Sequence, residues 1–284
     1  MSASLSTDPA AAADQEHAIT STSGRAVYSQ ISRLEGPHVF VRDRELTSEL
    51  MGHLSFTQMI YLTLTGRDAD ANQARVLDAV LVSLVDHGVT GSSLAARMTY
   101  RSAPDALQAA VAAGLLNAGG RVLGSMEGCG RLLSEHAPGT NDPADVASAA
   151  SQAVASYRSA GRRIPGLGHN LHEDGDLRAT RLFDIAQEAG HRGRYVALLE
   201  QVARQAGEAA VKQLPINVTG AVAAVLLEIG IEWQMLRGFG LMSRVVGLVA
   251  HVAEERRTGT VDALIRRLQH EETTAAPSTG TTGE

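Results

Sequence analysis

The stretch GLGHNLHEDGDLRATRLF, residues 166–183, decides how the rest of the chain is read. It breaks a run of helix formers with Gly-X-Gly-His and several acids, and a new helical pattern starts at Leu177-Arg178. A Gly-X-Gly element signals a dinucleotide-binding β-α-β unit when a strand precedes it and the full glycine pattern follows. Neither condition holds here. The preceding segment, GTNDPADVASAASQAVASYRSAG, is helical in pattern and opens on Asn141-Asp142-Pro143. Residues 166–176 are therefore a loop between helices. His, Asp and Arg between regular elements are where chemistry tends to sit.

Outward from this loop the pattern stays helical. Helices are expected at about 177–189, 193–212, 218–229, 236–256 and 260–271. Upstream, the helical pattern starts at Ser48, with Leu50, Leu54, Met59 and Leu62 on one face and Gly66 as the C-cap. A second helix closes on His87-Gly88, and a third lies near Ser92–Met98. A fourth starts at Pro104 behind Ser102 or Ala103. RVLGSMEGCGRLLSEH forms a fifth, entered through Gly119-Gly120 and Gly124. Only residues 25–45, with Gly36-Pro37 between β-branched and aromatic residues, read as a short hairpin. The expected class is all-α. The expected division is a disordered lead 1–24, a large helical domain 25–162 and 216–271, a small domain 163–215, and a disordered tail 272–284.

Bulk properties narrow the function. The chain has 284 residues and a net charge of -6, with no basic stripe, so nucleic acid is not an expected partner. A single cysteine, Cys129, excludes an intrachain disulfide and fits the reducing cytoplasm. The start lacks a basic segment followed by an apolar run, so no secretory signal is expected. GAVAAVLLEIGIEW is cut by Glu228 and Glu232 and is too short to span a bilayer, so no membrane is expected either.

Several segments, in order, resemble the citrate synthase superfamily, and within it the short citryl-CoA lyase-like members. They are RDRELTSELMGHLSFTQMIYLTLTGR (42–67), VDHG (85–88), AAGLLNAGGRVLGSMEGCGRLL (112–133), IPGLGHNLHEDGDLRA (164–179), LPINVTGAVAAVLLEIGI (214–231) and SRVVGLVAHVAEE (243–255). The resemblance implies a citrate synthase-like fold with a large and a small helical domain, and a homodimer. It implies a CoA thioester and a 2-oxo acid as partners, no metal, and aldol- or Claisen-type chemistry.

Residue by residue, the resemblance makes His169 the acid or base at the substrate hydroxyl, since imidazole titrates near neutrality. Arg178 and Arg244 match arginines that grip substrate carboxylates, for which guanidinium has the matching fork geometry. His87 matches a histidine at the dicarboxylate. Gly166, Leu167, Gly168, Asn170 and Lys212 are candidates for coenzyme A, with Arg162 or Arg163 at its phosphates. His169 and His172 with the loop acids would be a poor metal site, and Cys129 reads as core.

Two positions depart from the pattern. Synthases carry a histidine where this chain has Asn117, and the family's aspartate base is Thr219. An amide can still donate one hydrogen bond to a thioester oxygen. A hydroxyl is no base at neutral pH, and losing a general base costs about 10²–10⁴ in rate. Condensation is thus expected to suffer more than cleavage. The leading expectation is cleavage of a 3-hydroxy-3-carboxyacyl-CoA, such as citryl-CoA, into an acyl-CoA and a 2-oxo acid. A condensing enzyme, a CoA-ester hydrolase and a non-catalytic CoA-thioester-binding relative stay open beside it.

Overall fold

Capping side chains and left-handed residues set most of the helix boundaries. The computed structural model describes residues 19–20, 26–27, 29–120, 123–168 and 175–275. The chain divides into two compact units, residues 1–74 and 75–284, each described by itself.

In the first unit the expected hairpin forms. Strands β1 (Ile19–Thr20) and β2 (Ala26–Val27) make one antiparallel pair. Strands β3 (Ser32–Glu35), β4 (His38–Val41) and β5 (Arg44–Glu45) make a three-stranded antiparallel sheet with β4 in the middle. Glu35 pairs with His38, which leaves a two-residue turn at Gly36-Pro37. Gly36 has φ +58, the left-handed value this tight turn needs. Of the expected lead 1–24, only Ile19–Thr20 lies within the described residues, where it pairs with β2.

The helix expected from Ser48 is two elements. A single π-helical turn, Leu46–Leu50, is capped by Glu45, and helix α1 spans Phe56–Thr65. A capping box of Ser55 and Gln58 restarts the chain, and Gly66 ends α1 in the left-handed conformation, as expected.

Helix α2 spans Ala71–Leu84 and stops short of the expected His87-Gly88. The second unit continues with α3 (Gly91–Ser102), α4 (Leu107–Asn117), α5 (Gly124–His136) and α6 (Pro143–Ser159). Then come α7 (Leu177–Glu188), α8 (Arg194–Ala210) and α9 (Val218–Glu228). A 3-10 turn at Trp233–Met235 leads into α10 (Leu236–Thr258), and α11 spans Thr260–Ala275. Pro104 follows the end of α3 rather than opening α4, because α4 begins at Leu107. Helix α11 runs past Glu271, beyond the expected start of a tail.

The core is built around α9. Its residues Gly220–Leu227 are all buried, as an apolar sequence with no polar face demands. It packs against α5, α7 and α8, while α10 lies along α3, α4 and α5. The run Trp233–Thr258 has the length and hydropathy to cross a bilayer, but part of its surface is spent on these helices.

Glu228, at the end of α9, does the capping that Gly193 cannot do for α8. Its Oε1 accepts the N–H groups of Gly193, Tyr195 and Val196 at 3.1, 2.7 and 3.0 Å. Burial raises the Glu228 pKa above the usual carboxylate value, although these donors oppose the shift. Replacing Glu228 with Ala would leave several helix N–H groups without partners. Urea denaturation should then show a loss of about 1–3 kcal/mol.

Candidate active site

The loop and the start of α9 are joined by backbone pairing. Leu167 bridges Ile216 in antiparallel fashion, Gly168 N–H donates to Pro215 O at 2.7 Å, and Asn217 N–H donates to Gly166 O at 3.0 Å. Gly166 has φ +85. A Cβ on it would lie 2.8 Å from Cys129 Sγ and 2.8 Å from the Gly220 Cα. Gly166 is thus required for internal packing. At Gly168 a Cβ would meet nothing within 4 Å among the described residues. His169 and Asn170 lie outside the described residues, as do His172, Glu173 and Asp174.

Asp176 caps α7 and does more. Its carboxylate takes Arg178 Nε at 3.0 Å and Nη2 at 2.9 Å, and Oδ2 also accepts the N–H of Val218, the first residue of α9, at 2.9 Å. One buried carboxylate therefore holds the N-termini of two helices and orients Arg178. Burial alone would raise the Asp176 pKa. The Arg178 guanidinium and the Val218 N–H outweigh it and hold the pKa below the ordinary 3.8.

Arg244, on α10, is half-buried, and its Nε is buried without a hydrogen-bond partner among the described residues. Burial lowers its pKa, the Asp86 charge opposes the shift, and the Arg178 charge adds to it. The two arginines are thus within electrostatic reach of each other. A guanidinium partly removed from water without a hydrogen-bonding anion is costly, and a bound carboxylate would relieve the cost.

His87 sits in the loop between α2 and α3 rather than at a helix C-terminus, so the helix dipole does not account for it. Asn117 ends α4 and lies over the start of α3, where a Cβ on Gly91 would be 2.5 Å from its Oδ1. It therefore flanks the segment that follows His87.

Thr219 lies in the first turn of α9. Its hydroxyl contacts Asn217 Oδ1 at 2.6 Å and Ser125 Oγ, on α5, at 2.8 Å. A hydroxyl has one proton and amide oxygen only accepts. Both contacts are satisfied when Ser125 donates to Thr219 and Thr219 donates to Asn217. Asn217 Nδ2 in turn donates to Gly168 O at 2.7 Å. Thr219, which the resemblance sets at the family's aspartate, thus sits in a chain of neutral hydrogen bonds from Ser125 to Gly168. Ser125 had no distinguishing signal beyond its place beside Gly124 in a segment resembling the family.

A cleft of about 640 Å³ is lined by Arg158, Arg162, Arg163, Lys212, Leu167 and Gly168. This brings the sequence-derived candidates Leu167, Gly168, Lys212, Arg162 and Arg163 together, and adds Arg158. Cys129 is fully buried and its thiol is pushed up to about 12, which removes it as a nucleophile.

A family model described as citrate synthase, C-terminal domain, matches residues 5–267. The chain belongs to the citrate synthase family. Within it, the solved structure of citryl-CoA lyase from Hydrogenobacter thermophilus matches with a TM-score of 0.74 and 36% identity, over 82% of this chain and 88% of that one. ATP citrate lyase from Methanothrix soehngenii, in complex with citrate and coenzyme A, matches with a TM-score of 0.69 at 20% identity, over 90% of this chain and 42% of that one. At that identity the likeness concerns the fold. Probable ATP-citrate synthase of Dictyostelium discoideum is 26% identical over 200 residues, 65% of this chain and 31% of that protein. The chain spans about a third of that relative's length.

Asp176 generates a pH prediction. Its folded-state pKa is depressed, so it stabilises the fold above its ordinary value and that stability is lost as pH falls through the folded value. Asp176→Asn should cost about 1–3 kcal/mol at neutral pH. It should also flatten the decline in melting temperature below pH 4.

Proposed function

We propose that the protein is a citryl-CoA lyase-like enzyme that splits a 3-hydroxy-3-carboxyacyl-CoA, with citryl-CoA as the first candidate, into an acyl-CoA and a 2-oxo acid. The observation that carries this reading is the pair Arg178 and Arg244, within electrostatic reach of each other, with the half-buried Arg244 Nε lacking a hydrogen-bond partner among the described residues. A substrate with several carboxylates supplies what that arrangement is missing.

In the proposed step, His169 takes the proton of the tertiary hydroxyl. The oxygen electron pair becomes the carbonyl of the 2-oxo acid, and the carbon–carbon bond breaks. Its electrons pass into the thioester enolate. Asn117 can donate a hydrogen bond to the enolate oxygen, and His87 joins the arginines at the dicarboxylate. The enolate carbon then takes a proton from water, and the hydroxide left behind takes back the proton that His169 holds. Thr219 and Ser125 cannot remove a proton from carbon, so the reverse condensation lacks its base. Coenzyme A would lie along the basic cleft, with its phosphates at Arg158, Arg162, Arg163 and Lys212. Residues 163–215, which supply part of that cleft, are taken as the small domain.

A cytoplasmic location is part of the proposal, since the one cysteine is buried and reduced. So is a homodimer. Helix α4 is apolar on nearly every side, yet Leu107 and Leu116 are exposed, Leu116 at 83%. A surface of that kind calls for a second apolar surface.

The experiment is to incubate the protein with citryl-CoA and follow oxaloacetate release. The wild type should release it at least about 100-fold faster than His169→Ala. Equal rates would remove the citryl-CoA version and favour a binding protein. Thr219→Asp should raise the rate of condensation of acetyl-CoA with oxaloacetate above that of the wild type. For the assembly, Leu116→Glu should halve the mass measured by light scattering while leaving the helical circular dichroism intact.

A further inference from the structure

A chain of charged and polar groups joins the α2–α3 loop to α10 and α11, and the scheme above leaves it unused. Arg97, on α3, is buried. It donates from Nη1 to Glu255 Oε2 at 3.0 Å and pairs through Nη2 with Glu254. Its Nε and Nη2 also reach Nδ1 of His251 at 3.3 and 2.8 Å. The other ring nitrogen, Nε2, is 2.9 Å from Asp86 Oδ1. Asp86 Oδ2 accepts the Gly88 N–H at 3.0 Å. Glu255 anchors the far end by accepting the Val261 N–H of α11 at 2.9 Å.

The protons on this chain can be counted. A guanidinium offers only donors and does not lose its proton in a protein. His251 Nδ1 must therefore be the lone-pair nitrogen. The single ring proton is on Nε2 and points at Asp86. Arg97 thus dictates the tautomer, and the imidazole passes that choice on to the carboxylate that holds the Gly88 N–H, one residue past His87. The loop also sits directly on the α10 backbone. One turn before His251, a Cβ on Gly247 would lie 2.2 Å from Val85 O. The loop is thereby held by a backbone contact at Val85 and a hydrogen bond at Asp86.

We infer that His251, locked by Arg97 as its Nε2–H tautomer, is a positioning residue that sets where His87 stands in the active site. This rests on the proposed role of His87 at the substrate dicarboxylate. Asp86 lies between two candidate binding groups, His87 next to it in the chain and Arg244, whose charge it supports. A shift of the loop would therefore disturb the grip on the substrate more than the chemistry itself. A network that only braced the fold would give a different signature, a lower melting temperature with unchanged kinetics in the folded protein.

The test compares His251→Ala, His251→Asn and His251→Gln in the full-length protein. A glutamine amide can donate from about where Nε2–H donated, whereas asparagine is too short. With citryl-CoA, Ala and Asn should raise KM about tenfold and lower kcat by less, and Gln should restore most of the loss. In parallel, 15N spectra of histidine-labelled protein, with His87 assigned among the 10 histidines by its own substitution, should show the His87 ring signals moved in Ala and Asn and near wild type in Gln. Wild-type KM and unmoved His87 signals in His251→Ala would overturn the inference. Should the wild type fail to cleave citryl-CoA, the proposed function falls, while the His87 signals still decide the role of His251.

Discussion

The Asp176 carboxylate is the interaction on which the candidate site depends. It receives the guanidinium of Arg178 and the first N–H of α9 while capping α7, and it is almost wholly shielded from water. Two helix N-termini, each carrying partial positive charge, are thus drawn to one negative group. The start of α7 fixes Arg178. The start of α9 fixes Asn217 and Thr219, and Asn217 reaches back to Gly168, the last described residue before His169. Remove this carboxylate and three elements lose a common reference point.

The charge that remains is what gives the site its chemistry. Asp176 neutralises part of Arg178, whereas the buried Arg244 Nε has no such partner among the described residues. The Ser125–Thr219–Asn217 chain, in contrast, is neutral throughout. Positive charge that a carboxylate would satisfy thus lies near a position without an ionisable base, and the proposed cleavage rests on that combination. The physical asymmetry is simple. Cleavage starts at a hydroxyl that an imidazole can deprotonate, whereas condensation starts at a carbon acid that a threonine cannot.

Much of the fold was legible because its signals are local. Asp142-Pro143 at the start of α6, Gly66 at the end of α1, and the unbroken apolar run of α9 each act within a few residues. The misplaced boundaries have local causes too. The helix stops at Leu84, and Asp86 beyond it turns to the N–H of Gly88, a competition that the hydrophobic pattern does not register. Gly166 makes room for Cys129 and Gly220, neighbours from α5 and α9 that no local pattern reveals.

By itself the sequence determined the helical class, the family, and the chemical types at the site: the imidazoles, the arginines, and the replacement of two expected catalytic groups by Asn117 and Thr219. Those follow from side-chain chemistry and from order along the chain. Only the tertiary structure decided that Asp176 serves two helices, that Ser125 meets Thr219, and that His251 lies between Arg97 and Asp86. Each of these joins residues separated by dozens of positions. Hydrogen bonds of that kind are selected by packing, after the helices have met, and so leave no periodicity in the sequence to read.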